Sequence, residues 1–182
     1  MIPAFKTTLP ILMVPGLGGS GPEHWQSLWQ RDLESCTRVE QRDWDYPERE
    51  GWIAALDRAV AAADQPPILI AHSLSCALVV HWAMETRRRI HGALLVAPAD
   101  VDSDAHTPTE AHVFRPMPIA RLPFLSIVVS SSDDPFVTAE RAAKFASAWG
   151  SHLVDIGPAG HINSATGYGP WPQGRDLLEA LL

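Results

Sequence analysis

The sequence predicts an α/β protein built on a parallel sheet of about six strands with helices on both faces. Three observations point there. Short apolar runs alternate with amphipathic segments along the chain. The runs, such as ILMV before Pro15 and ILIA before His72, are continuously apolar, as expected for strands buried on both faces. Strand and helix in alternation imply right-handed βαβ crossovers.

Six runs read as strands: Pro10 to Val14, Thr37 to Arg42, Pro67 to Ala71, Ile90 to Ala97, Phe124 to Ser130 and His152 to Ile156. Helical segments lie between them, from Pro22 to Glu34, Arg49 to Ala63, Ser73 to Thr86 and Thr138 to Trp149. A last helix runs from Pro172 to Leu182. If the first strand sits beside the third, with the second outside it, the order is 2-1-3-4-5-6. The switch point then falls between strands one and three, and ligands bind at such points off the carboxyl ends. The segment from Pro98 to Pro123 breaks the pattern. It carries Asp100, Asp102, Asp104, His106 and His112, then Pro108, Pro116, Pro118 and Pro123. It has room for a short helix or lid but not for a large cap domain. Its DVDSDAH stretch lacks the glycine and the closing glutamate of a calcium loop, so it reads as a solvated acidic loop.

At 182 residues, 46% hydrophobic and 19% charged, the chain reads as one globular domain spanning 1–182. The formal net charge is −7 and basic residues are sparse, which speaks against a nucleic-acid surface. The Arg87-Arg88-Arg89 cluster suits a helix C-terminus, where cations oppose the dipole. Cys36 and Cys76 make neither a disulfide framework nor a zinc ligand set. Lys6 and an apolar run broken by Pro15 and Gly16 make a poor signal peptide. No run approaches the roughly 20 apolar residues of a membrane span. The expectation is a cytoplasmic protein with no membrane or nucleic-acid partner.

Four motifs carry candidate chemistry. Ser73, in AHSLS, sits where a strand gives way to a helix. A serine N-cap accounts for this, and so does the nucleophile elbow G-x-S-x-G of hydrolases. The elbow needs small residues two places before and after the serine, and Ala71 and Ser75 meet that limit without being glycine. The second motif, MVPGLGGSG, follows the first strand. It lacks the third glycine of G-x-G-x-x-G and a Walker lysine. It fits an oxyanion-hole loop, with the amides of Leu17 and Leu74 as donors. The third, SSSDDPFVT, follows the fifth strand and is either a turn or the source of a histidine-orienting carboxylate, Asp133 or Asp134. The fourth, GPAGHINS, follows the sixth strand and offers His161. Serine, acid and histidine occur in the chain order of α/β-hydrolases, each after a different strand.

Taken together, HSLS, PGLGG with EHWQ after it, RDWDYP, SSDDPFV and GHINSATGYGPWPQG resemble the retinoblastoma-binding protein 9-like (YdeN-like) small serine hydrolases. The likeness is spread over nearly the whole chain. It implies a three-layer α/β-hydrolase fold with little or no cap and a Ser-Asp-His triad. The implied nucleophile is Ser73 and the implied base His161. The family's acid directly before Pro-Phe points to Asp134. The Leu-x-Cys-x-Glu motif, by which the mammalian namesake binds the retinoblastoma pocket, is not found here. Leu74-Ser75-Cys76-Ala77-Leu78 has no glutamate, so that binding role does not carry over.

These readings lead to acyl transfer to water from a small ester, with no metal and no cofactor. Amide or thioester cleavage would use the same residues, and an interaction module on the same scaffold is the non-enzymatic alternative. His24, Trp25, Trp44 and Phe114 are the candidate substrate-binding residues, because they lie in loops or helix starts within reach of the site.

Overall fold

The computed structural model describes residues 7–182. Lys6, on which the leader reading partly rested, lies outside the described residues. Six strands form one parallel sheet. They are β1 (Ile11–Val14), β2 (Cys36–Arg38), β3 (Ile68–His72), β4 (Gly92–Val96), β5 (Leu125–Ser130) and β6 (His152–Asp155). Their spatial order is β2-β1-β3-β4-β5-β6, which is the expected 2-1-3-4-5-6. Five helices connect or follow them: α1 (Trp25–Asp32), α2 (Arg49–Ala62), α3 (Leu74–Glu85), α4 (Ala139–Trp149) and α5 (Pro172–Glu179).

The continuous apolar strands supply two cores at once, because successive side chains point to opposite faces. Leu12, Val14, Leu69, Ala71 and Leu95 face Leu56 of α2, Leu78 of α3 and Phe145 of α4. Ile11, Met13, Ile68, Ile70 and Leu94 face Trp25 and Trp29 of α1 and Leu178 of α5. Helices therefore cover both sides. None of the helices among the described residues is long and apolar enough to cross a membrane.

Three expectations need adjustment. The second strand ends at Arg38 rather than Arg42. Among the described residues it is an edge strand pairing only with β1, and β1 itself stops before Pro15. Beyond it Asp43 folds the chain into a turn, accepting the amides of Asp45 and Tyr46 at 2.9 Å each. The first helix starts at Trp25, not Pro22, because the His24 ring caps it by accepting the Gln26 amide.

The third adjustment concerns the DVDSDAH stretch of the 98–123 segment. It is solvated only in part: Asp102 and Asp104 are exposed, but the stretch is anchored through Asp100. Asp100 is only 7% exposed. Arg141 of α4 bridges Asp100 at 2.9 Å and Asp102 at 2.6 Å. Asp102 also accepts the Met117 amide, and Arg115 pairs with Asp104. A short 3₁₀ helix, Thr109–Phe114, sits in the middle. The segment is fastened to α4 and α3, and no large cap covers the carboxyl edge of the sheet.

Candidate active site

The site begins with a backbone conflict. Ser73 follows β3 with φ 59° and ψ −123°, a conformation costly for any residue but glycine. The surroundings hold it there. The Ser73 amide donates to Val96 O on β4 at 2.9 Å. The Ser75 hydroxyl accepts the His72 amide at 3.0 Å and lies against the Val14 carbonyl at the end of β1. The serine standing where the elbow pattern has glycine thus ties the elbow to the neighbouring strand. Ser73 makes no side-chain cap on α3, so the N-cap reading of this serine is set aside. Its hydroxyl points elsewhere.

It points to His161. The Nε2 of His161 lies 2.8 Å from Ser73 Oγ. On the other side of the ring, Nδ1 lies 2.9 Å from both carboxylate oxygens of Asp134. The Asp134 side chain is fully buried. A carboxylate can only accept here, so the proton sits on Nδ1, and Nε2 is free to accept from the serine. Asp134 also accepts the Phe136 amide at 2.9 Å, which closes the turn through Pro135.

Asp133 turns the other way. Its Oδ1 accepts the amides of Ala159 and Gly160 at 2.8 and 2.7 Å and the Ser131 hydroxyl at 2.8 Å. These donors, the Gly160 amide first, hold its carboxyl below the usual range. It is therefore tied to the backbone of the loop that carries His161.

The glycine-rich loop lies flush against the elbow. A Cβ on Gly16 would come 2.7 Å from the His72 carbonyl and 3.2 Å from the Leu74 amide, so only glycine permits this approach. Among the described residues, the backbone N–H groups of Leu17 and Leu74 have no acceptor. Leu74 opens α3, where the first amides lack helical partners. Two orphan donors thus stand on the two loops that meet at the switch point.

The four aromatic candidates divide. Trp44 is half-buried and packs over the loop. Its carbonyl accepts the Gly18 amide, and its ring would meet a Cβ on Gly19 at 2.8 Å. His24 is buried, with its ring 4.8 Å from that of His72. Burial first, then the neighbouring His161 and Arg38, lowers its pKa to about 4, so it is a neutral imidazole. Trp25 and Phe114 do not line a pocket. Trp25 is 0% exposed; it packs on Trp29 and Trp171 and donates its indole N–H to Ile162 O at 2.8 Å. Phe114 is also 0% exposed, wedged against Trp52 and His81. Both rings are taken up by packing inside the protein.

Two contacts went unread in the sequence. The Phe136 ring packs on His161, centroid to centroid 4.4 Å; its place two residues after the acid was the available signal. His72 sits beneath His161 with ring centroids 4.8 Å apart. It is pushed well below the ordinary histidine range by burial and then by its histidine neighbours.

Such an elbow, loop and sheet define a protein of the α/β-hydrolase superfamily. Residues 11–180 match the family described as serine hydrolase, and the chain belongs to that family. It is similar to a candidate YdeN-like hydrolase from Pectobacterium atrosepticum, at 35% identity over 96% of this chain and 92% of that one, with a TM-score of 0.85. It is also similar to the ydeN gene product of B. subtilis, at 17% identity, 96% and 98% coverage and a TM-score of 0.78. An esterase domain from a Rhodothermus marinus protein shares the fold at 17% identity, 96% and 88% coverage and a TM-score of 0.68. No curated protein matched the sequence. The chain is thus a YdeN-like small serine hydrolase, as its motifs implied.

Proposed function

We propose that this hydrolase cleaves small carboxylic esters through an acyl-enzyme on Ser73, with His161 as base and Asp134 as its orienting acid. The observation that carries the reading is the unbroken chain Ser73 Oγ–His161 Nε2, His161 Nδ1–Asp134, at 2.8 and 2.9 Å. His161 Nε2 takes the hydroxyl proton as Ser73 Oγ bonds to the ester carbonyl carbon. The amides of Leu17 and Leu74 receive the developing oxyanion. Such a donor is worth about 2.7–4 kcal/mol in the transition state. The imidazolium, stabilised by buried Asp134, gives its proton to the leaving alcohol. A water deprotonated by the same nitrogen then attacks the acyl-enzyme, and Ser73 recovers its proton as the acid leaves. No step calls on a metal or an organic cofactor.

A small or flexible ester is the substrate class this reading favours. Ser73 is half-buried, and the 98–123 segment is too short and too firmly tied by Arg141 to build an enclosing chamber. His24 and Trp44 are the two candidates left beside the glycine-rich loop as substrate neighbours.

The test is a fluorophosphonate probe read by intact-mass spectrometry, alongside a panel of esters, thioesters and amides. A single adduct that disappears in Ser73→Ala, with ester turnover lost in parallel, is the expected result. An adduct that persists in Ser73→Ala sinks the nucleophile assignment. Preferred turnover of thioesters or amides would keep the triad and change the substrate class.

A further inference from the structure

The loop that carries His161 is strained, and two buried side chains restrain it. Ile162 has φ 47°, the left-handed region, which a β-branched residue enters only at a cost. Such a conformation persists where the surroundings over-determine it. Two buried ring donors do so on the carbonyl side. His72 Nε2 is 2.9 Å from His161 O, and Trp25 Nε1 is 2.8 Å from Ile162 O. A carbonyl only accepts, so His72 carries its proton on Nε2. Burial keeps the ring neutral, so this single tautomer is held.

The His72 ring is itself fixed. His24 lies edge-on at 4.8 Å and Trp25 at 5.8 Å. His24 in turn is locked by capping α1, and Trp25 packs edge-on against the stacked pair Trp29 and Trp171. His72 is also the residue directly before Ser73. Its backbone therefore sets the elbow while its ring sets the backbone of His161.

We propose that His72 and Trp25 are positioning residues, a two-donor clamp on the consecutive carbonyls of His161 and Ile162 that holds the base in line with Ser73. The proposal rests on the Ser73–His161 reading above. It assigns a task to Trp25 that the pocket expectation missed. It also accounts for two buried polar rings packed beside the His161 loop. Neither takes part in bond making; both act through the placement of His161 Nε2, where a shift of about 1 Å costs on the order of a hundredfold in rate.

The test compares His72→Leu, which removes the donor, with His72→Gln, whose amide nitrogen reaches about as far as Nε2. Trp25→Phe keeps a ring and removes the indole N–H. Each is assayed for kcat and KM on the folded fraction, established by thermal melting. Proton NMR follows the downfield Nδ1–H signal of the His161–Asp134 hydrogen bond. His72→Leu and Trp25→Phe are expected to lower kcat on the order of ten- to a hundredfold, with KM little changed, and to broaden the Nδ1–H signal. His72→Gln should recover most of the rate and the signal. A folded His72→Leu protein with wild-type kcat and an unaltered signal overturns the clamp. Equal losses in Leu and Gln variants overturn it too, since the hydrogen bond would not be the cause. If His72→Leu does not fold, Trp25→Phe and His72→Gln decide by the same readouts. Failure of the function reading looks different: Ser73→Ala would turn over esters like the wild type, while the Nδ1–H signal still reports on the clamp.

Discussion

Asp133 and Asp134 are neighbours in the chain with opposite tasks. Asp134 is buried against the His161 ring, whereas Asp133 accepts two amides of the His161 loop. Asp134→Asn should leave the fold intact and cut turnover by roughly four orders of magnitude, by favouring the wrong histidine tautomer. Asp133→Asn keeps an acceptor oxygen for the two amides and should cost far less. Asp133→Ala removes it and should fall between the two. Steady-state kcat for the three variants checks the ranking, and a reversal of the two asparagine variants would make Asp133 the acid. The sequence alone offered the pair as alternatives, since alternation along a turn says that one faces inward but not which. The resemblance pointed to Asp134. Trp25 and Phe114 were misjudged for a related reason. An aromatic beside a motif reads the same whether it lines a pocket or fills a core. The difference lies in partners distant in the chain, Ile162 and Trp171 for one, Trp52 and His81 for the other.

The glycine-rich loop and the elbow act as one unit, and their contact sets a second expectation. Gly16→Ala would drive a methyl group into the His72 carbonyl, 2.7 Å away, and toward the Leu74 amide. Backbone on the far side cannot swing aside as a flexible side chain can. The loop should retreat, taking the Leu17 amide out of line with Leu74. The expected outcome is a kcat lower by about 10²–10³, the usual effect of losing an oxyanion donor, with KM and secondary structure largely kept. Wild-type kcat in a folded Gly16→Ala variant would remove Leu17 from the oxyanion assignment. The 98–123 segment shows where local reading of elements ends. Asp100 looks solvated in the sequence because its partner, Arg141, lies on α4, beyond β5. Arg141→Ala leaves buried Asp100 without its cation. Since unpaired buried charge is costly, thermal unfolding should shift down by several degrees, and an unchanged melting temperature would show the segment held by its apolar contacts alone.

At the scale of the whole molecule, strand order and two-faced burial were legible because they follow from pattern. Continuous apolar strands need helices on both faces, and crossover handedness leaves few ways to arrange them. What pattern could not convey is the histidine column under the site, where His24, His72 and His161 stand ring to ring at 4.8 Å steps. Those contacts join α1, the end of β3 and the loop after β6. They also tie global stability to pH. His24 is lowered from the ordinary 6.5 to about 4, by burial first and then by the charge that His161 and Arg38 can carry. His72 is lowered in the same direction, also by burial first. In the unfolded chain both rings take up protons near their ordinary value, while the folded chain resists. The unfolded state therefore binds more protons as pH falls below 6.5, and stability falls with it. The contribution of His24 is fully present above 6.5 and lost by about pH 4, amounting to about 3 kcal/mol at 1.36 kcal/mol per unit. The lowered carboxylates, Asp43, Asp57, Asp104 and Asp133, add their losses further into acid, because their ordinary value is already near 3.9. The window between 6.5 and 4 thus belongs to the histidines. His24→Asn keeps a good helix cap and removes one titrating ring. Urea unfolding from pH 8 to pH 4 should show a steep loss for the wild type and a shallower one for His24→Asn, whatever their difference at pH 8. Parallel curves would mean that the His24 ring takes up its proton as readily in the folded protein as in the unfolded chain.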